Sequence, residues 1–159
     1  MAPPPALRLI AFQRQPISSI ALIGNYPPRR CGIATFTADV RQALLGARPD
    51  LTCDVYAMVD DGAAYVFPEE VCCEIRQQQP DDYRAAAARL ARTQPDVICV
   101  EHEFGIYGGP AGEHLMLILD AVDIPVVTTL HTILEQPNQD QKRVLSRLLA
   151  RSARLIVMA

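Results

Sequence analysis

Short runs with apolar residues on both faces, most of them followed by a stretch of helical period, recur along this chain. A run of that kind is a strand covered on both faces, so the pattern predicts a parallel sheet with helices on both sides. ISSIALIG (17–24), VICV (97–100), IPVVTTL (124–130) and ARLIVMA (153–159) are such runs. LTCDVYAMVD (51–60) alternates at its start and reads as a further strand, and VCCEIR (71–76) as a short one. Asn25-Tyr26-Pro27-Pro28 stops the first strand, because two prolines cannot continue a ladder. Ile33, Phe36, Val40 and Leu44 then recur at helical spacing, with Gly46 suiting the helix end. Pro80-Asp81-Asp82-Tyr83 opens a second, alanine-rich helix; GEHLMLILDAV (112–122) reads as a short apolar one and 139–151 as the last. The right-handed crossover rule makes this an α/β, doubly wound, Rossmann-like sheet of about six strands.

At 159 residues the chain holds one ordinary domain. Residues 1–16, rich in proline and arginine without a period, are expected to be a flexible leader, and 17–159 the domain. Fifteen basic against eighteen acidic residues leave a net charge of −3, which argues against a nucleic-acid surface built on bulk positive charge. Five cysteines, none spaced C-x-x-C, support neither a disulfide framework nor a zinc site. They read as reduced small hydrophobes, with the adjacent Cys72 and Cys73 on opposite faces of their strand. The first apolar run is too short to span a bilayer and the amino terminus lacks a signal sequence, so a cytoplasmic protein is expected. Closing on a strand with no helix after it, the sequence reads as a truncated or partial chain.

In an open parallel sheet the ligand crevice lies beyond the carboxyl ends of the strands, and three segments arrive there carrying polar residues. After the first strand, Gly32 and Ile33 open a helix whose free amides and dipole favour a phosphate. Gly24 and Gly32 lie too far apart for a G-x-G-x-x-G fingerprint, and Gly32 equally suits a plain tight turn. After VICV comes Glu101-His102-Glu103-Phe104-Gly105-Ile106-Tyr107-Gly108-Gly109. Extended geometry puts Glu101 and Glu103 on one face and His102 on the other; the choice is between a polar pocket and a solvated loop with a structural salt bridge. The third segment is Thr128-Thr129-Leu130-His131-Thr132, with His131 either a cleft group or a satisfied structural histidine. His102, His114 and His131 share this end of the sheet, but no ligand pair sits on one helix face, and no metal is expected. Largely along the last helix, Lys142, Arg143, Arg147 and Arg151, with Arg154 just beyond its end, interleave with Val144, Leu145, Leu148 and Leu149. That face is able to touch anionic lipid, yet reads first as the solvated side of an amphipathic helix.

NYPPRRCGIATFTADV, EHEFGIYGGPAGEHL and PVVTTLHT, in that order, resemble the amino-terminal half of group 1 (family 4) glycosyltransferases, over residues 18–159. The resemblance implies one half of a GT-B fold, in which two Rossmann-like domains face a cleft and a sugar leaves a nucleotide-sugar donor with retention of configuration. By motif, Gly32 and Ile33 match the loop that approaches the donor phosphates, and His131 the cleft histidine on the transferred sugar. Glu101, His102, Glu103 and Tyr107 would line the side facing a sugar or glycan acceptor. The nucleotide-sugar is a co-substrate, and no cofactor is implied. The family's carboxyl-terminal domain, with its E-x7-E motif, has no counterpart in these residues, so the chain by itself is expected to be inactive. A non-catalytic binding module and half of a GT-B-like nucleotide-sugar epimerase are the alternatives.

Overall fold

The structure, a computed structural model, describes residues 16–158. The expected leader, Pro16 apart, lies outside the described residues. Six strands form one sheet: β1 (Ser19–Gly24), β2 (Thr52–Val59), β3 (Val71–Arg76), β4 (Val97–His102), β5 (Val126–Leu130) and β6 (Arg154–Val157). All neighbouring pairs are parallel, in the order β3-β2-β1-β4-β5-β6. The helices are α1 (Gly32–Ala47), α2 (Pro80–Thr93), α3 (Met116–Leu119) and α4 (Gln139–Arg151). The chain is thus an α/β, Rossmann-like fold, and its strand order reverses direction between β1 and β4, where a crevice opens.

Alternation along each strand explains the two apolar layers. In β1, Ile20 and Leu22 face α1 in one cluster with Cys53, Val55 and Ala57 of β2. Ala21 and Ile23 face the other way, into a larger cluster with Tyr83, Leu90, Leu115, Ile118 and Leu148 from α2 to α4. Both clusters are apolar, and the polar residues of the strands gather mainly towards their ends. At the amino ends of the strands, Asp96 accepts from the amide and hydroxyl of both Ser18 and Ser19, at 2.8–3.0 Å. Those donors hold its carboxyl down to about 2.

Two sequence expectations are corrected here. The segment 112–122 is not one helix. A 3-10 turn over Pro110–Leu115, with Ala111 and Gly112 at φ of 52° and 81°, precedes the four-residue α3. A side chain at Gly112 would meet the Phe104 carbonyl at 3.2 Å, so the chain turns tightly there instead of coiling. Nor do Cys72 and Cys73 face opposite layers. The β2–β3 register jumps from Val55↔Val71 to Tyr56↔Cys73, and this bulge packs both cysteines against the same cluster.

The basic face of α4 is largely occupied by the protein itself. Arg143 pairs with Asp140 and Glu113, and Arg147 with Asp120. Arg151 donates to the carbonyls of Leu119, Val122 and Ile124 at 2.6–2.9 Å, tying α4 to the connection between α3 and β5. Lipid contact through this face would first have to break those bonds. Among the described residues no helix is long and apolar enough to cross a membrane. Replacing Arg151 strands three carbonyls in a partly buried site, so Arg151→Met is expected to lower unfolding free energy by about 2–3 kcal/mol. Urea denaturation checks this; an unchanged midpoint would show that the carbonyls find water instead.

Candidate functional site

The crevice beyond β1, β4 and β5 is a cavity of about 540 Å³ lined by Asn25, Arg29, Cys31, Gly32, Ile33, Phe36, Glu103, Gly105, Ile106 and His131. Its floor comes from α1. Cys31 caps that helix in extended conformation, and its sulfur accepts the amide of Ala34 at 3.3 Å. The amides of Gly32 and Ile33, one turn too early for a helical partner, have no acceptor among the described residues, and both residues line the cavity. The loop before them is braced from inside. Buried Asn25 accepts from Arg29 at 2.6 Å and donates to Cys31 Sγ at 3.4 Å, while Arg29 pairs with Asp60 at 2.7 Å. Asp60 in turn accepts from the Tyr65 hydroxyl.

The opposite wall is built from the ends of β4 and β5. Parallel pairing sets Glu101 beside Thr129 and His102 beside Leu130, so the next residue, His131, emerges at the crevice. His131 Nε2 lies 2.8 Å from a carboxylate oxygen of Glu101, whose side chain is 2% exposed. Burial raises the Glu101 pKa; His131 and the Thr129 hydroxyl work against that rise. The Phe36 ring meets the His131 ring edge-on, 4.9 Å between centroids.

The strand alternation does separate Glu101 from His102, but their roles are not those of two cleft residues. Only Glu103 of the four expected acceptor-side residues reaches the cavity wall. Glu101 lies behind His131. His102 is wholly buried, stacked at 6.1 Å on Tyr107 and edge-on to Phe104, and among the described residues neither ring nitrogen has a partner. That burial pushes its pKa down to about 4. Tyr107 is also buried: its hydroxyl bonds the carbonyl of Glu101 at 2.8 Å, with that of Ile23 at 3.3 Å. Gly105, Gly108 and Gly109 do not leave this loop free to bend, because Gln77, Gln78 and Tyr83 bond its backbone. His114 packs edge-on against Tyr83, away from the cavity. Among the described residues, no three metal-ligating side chains converge.

The glycine whose missing side chain the fold requires is Gly24, not Gly32. A Cβ on Gly32 would meet nothing within 4 Å and its backbone is not left-handed, so the protein itself does not require glycine there. A Cβ on Gly24 would sit 3.0 Å from Glu101 Cβ. Gly24, Asn25, Arg29 and Phe36 are site residues that sequence reasoning missed. In the sequence Phe36 reads as part of the apolar helix stripe, and Gly24 carries no signal beyond ending a strand.

Gly24→Ala is therefore expected to cost about 1–3 kcal/mol through overpacking. Gly32→Ala should leave stability unchanged or raise it by up to about 1 kcal/mol. Thermal unfolding of the two variants, side by side, checks the contrast. A second expectation concerns acid. The folded protein holds His102 neutral, so its contribution is complete above the unfolded pKa near 6.5 and is lost as pH falls towards about 4. Between those limits His102→Leu should be spared a loss on the order of 3 kcal/mol that the parent suffers. Identical acid-unfolding curves for parent and variant would contradict this.

No protein-family model matches the chain, and no curated protein matches it. A solved structure of homoserine dehydrogenase from S. aureus aligns with 88% of this chain at 12% identity and a TM-score of 0.45. This chain spans 32% of that structure's length, and likeness at that level carries no argument about activity.

Proposed function

We propose that this chain is the amino-terminal, mainly acceptor-side domain of a retaining GT-B glycosyltransferase, resembling group 1 (family 4), that moves a sugar from a nucleotide-sugar donor to a sugar or glycan acceptor. The observation that supports it most is the juxtaposition across one cavity of the free Gly32 and Ile33 amides with the His131 imidazole. Amides fixed at a helix start stabilise negative charge as it develops on a leaving diphosphate. His131, held by Glu101, would contact the sugar being transferred. Glu103, at the cavity wall, would meet the acceptor. Chemistry of this kind asks the protein to align two substrates and to disperse charge, and it needs no general base on this wall. That suits a site whose most buried carboxylate is bonded to a histidine instead of facing the cavity. In this reading a second Rossmann-like domain closes the cleft and grips the nucleotide, no cofactor takes part, and the enzyme works in the cytoplasm.

With one wall of the site open to water, each donor contact competes with solvent, so binding to this chain should be millimolar or weaker, about 4 kcal/mol at most. An NMR titration with UDP-glucose and GDP-mannose is expected to move the amide signals of Gly32, Ile33 and His131, with no product formed. Silence at all three up to about 10 mM sinks the proposal. So does micromolar affinity combined with multiple turnover, which would describe a complete enzyme.

A further inference from the structure

The Glu101–His131 pair holds more information than its place in the cavity wall. Five constraints converge on one imidazole. The His131 amide donates to the His102 carbonyl at 3.0 Å, which fixes the backbone. The Phe36 ring, perpendicular to the His131 ring at 89°, limits its rotation. Glu101 takes Nε2 at 2.8 Å. The missing side chain of Gly24 makes the room in which Glu101 lies. Nδ1, finally, has no hydrogen-bond partner among the described residues and is not among the fully buried unpartnered nitrogens, on a residue that lines the cavity.

We infer that Glu101 is a positioning residue that holds His131 as its Nε2–H tautomer, so that Nδ1 meets the cavity as a hydrogen-bond acceptor and the site selects a hydroxyl donor on its ligand. A neutral imidazole carries one donor and one acceptor, and the group bonded to one nitrogen decides the character of the other. A carboxylate is an acceptor alone and therefore draws the proton to Nε2. The buried carboxylate has two neighbouring donors, His131 and the Thr129 hydroxyl, and among the described residues no lysine or arginine is bonded to it. An Nδ1 that accepts refuses a phosphate oxygen or a carbonyl and takes an O–H. The inference rests on the glycosyltransferase reading only in naming that O–H as a hydroxyl of the transferred sugar.

Nitrogen-15 NMR of the His131 ring at neutral pH tests it on this chain. The expected result is a protonated Nε2 with a slowly exchanging proton signal, and a bare Nδ1. In Glu101→Leu that proton signal should vanish and the tautomers mix, with binding of UDP-glucose about tenfold weaker and that of UDP unchanged. Glu101→Gln keeps the polar shape if the leucine variant does not fold; its amide is able to donate to Nε2 and should shift the ring towards Nδ1–H. A parent ring protonated at Nδ1, or a tautomer that ignores both substitutions, overturns the inference. In the parent, UDP-glucose and not UDP should perturb Nδ1. A ring held as Nε2–H whose Nδ1 responds to neither ligand would instead overturn the nucleotide-sugar reading and leave the positioning role of Glu101 standing.

Discussion

Where β1 and β4 end side by side, two chains leave the sheet in different directions. Tyr107 bridges the two strand ends. Its hydroxyl lies 2.8 Å from the Glu101 carbonyl and 3.3 Å from that of Ile23, one on each side of the crevice. The ring that carries it is buried and stacked against His102, and Tyr83 holds the following residue through the Gly108 amide. A buried hydroxyl without a partner costs on the order of 1–3 kcal/mol, so this contact fixes the Tyr107 ring between the two strand ends. The β4–β5 wall of the cavity starts from this point: Glu101 belongs to one of the two bonded strand ends, and His131 is anchored to the backbone of the neighbouring His102.

The polar groups around this point are sorted by depth. His102 lies in the dry layer shared with α2 to α4, where ionisation is suppressed and no partner relieves it. Glu101, one residue earlier, faces the other layer and finds His131 and Thr129. One step along a strand thus separates a buried base with nothing to bond from a buried acid joined to a cavity histidine. The pleat of the strand alone produces that difference. A second concavity of about 380 Å³ over α3 and α4 shows the contrast, since its charged residues, Glu113, Asp120 and Arg147, are all engaged in ion pairs.

Much of the architecture was legible because both-sided apolar runs have few alternatives. VICV and the run ending at Leu130 became β4 and β5 close to the expected bounds, and the Pro80 start of α2 was marked by its own residue. Expectation failed where local pattern met a tertiary demand. The segment 112–122 has helix-forming composition, but the close approach of Gly112 to the Phe104 carbonyl forces a turn. Cys72 and Cys73 obey strict alternation until a bulge opposite Val55 cancels it. Of the site, His131, Glu103 and the Gly32–Ile33 amides lie at the cavity, whereas Tyr107 and His102, equally polar in the sequence, are structural.

By itself the sequence determined the layers, the parallel sheet and the end of it at which polar residues gather. Those follow from hydrophobic period and chain direction, which are local properties. Only the tertiary structure decided which polar residue serves which purpose. Glu101 and His131 are thirty positions apart and meet because β4 and β5 pair in one register and not another. Gly24 matters because Glu101 arrives 3.0 Å from where its side chain would be, and Gly32 is spared because nothing arrives there at all. Such contacts depend on distances between segments that no local pattern encodes, and so the chemistry of the cavity became readable only once the sheet had assembled.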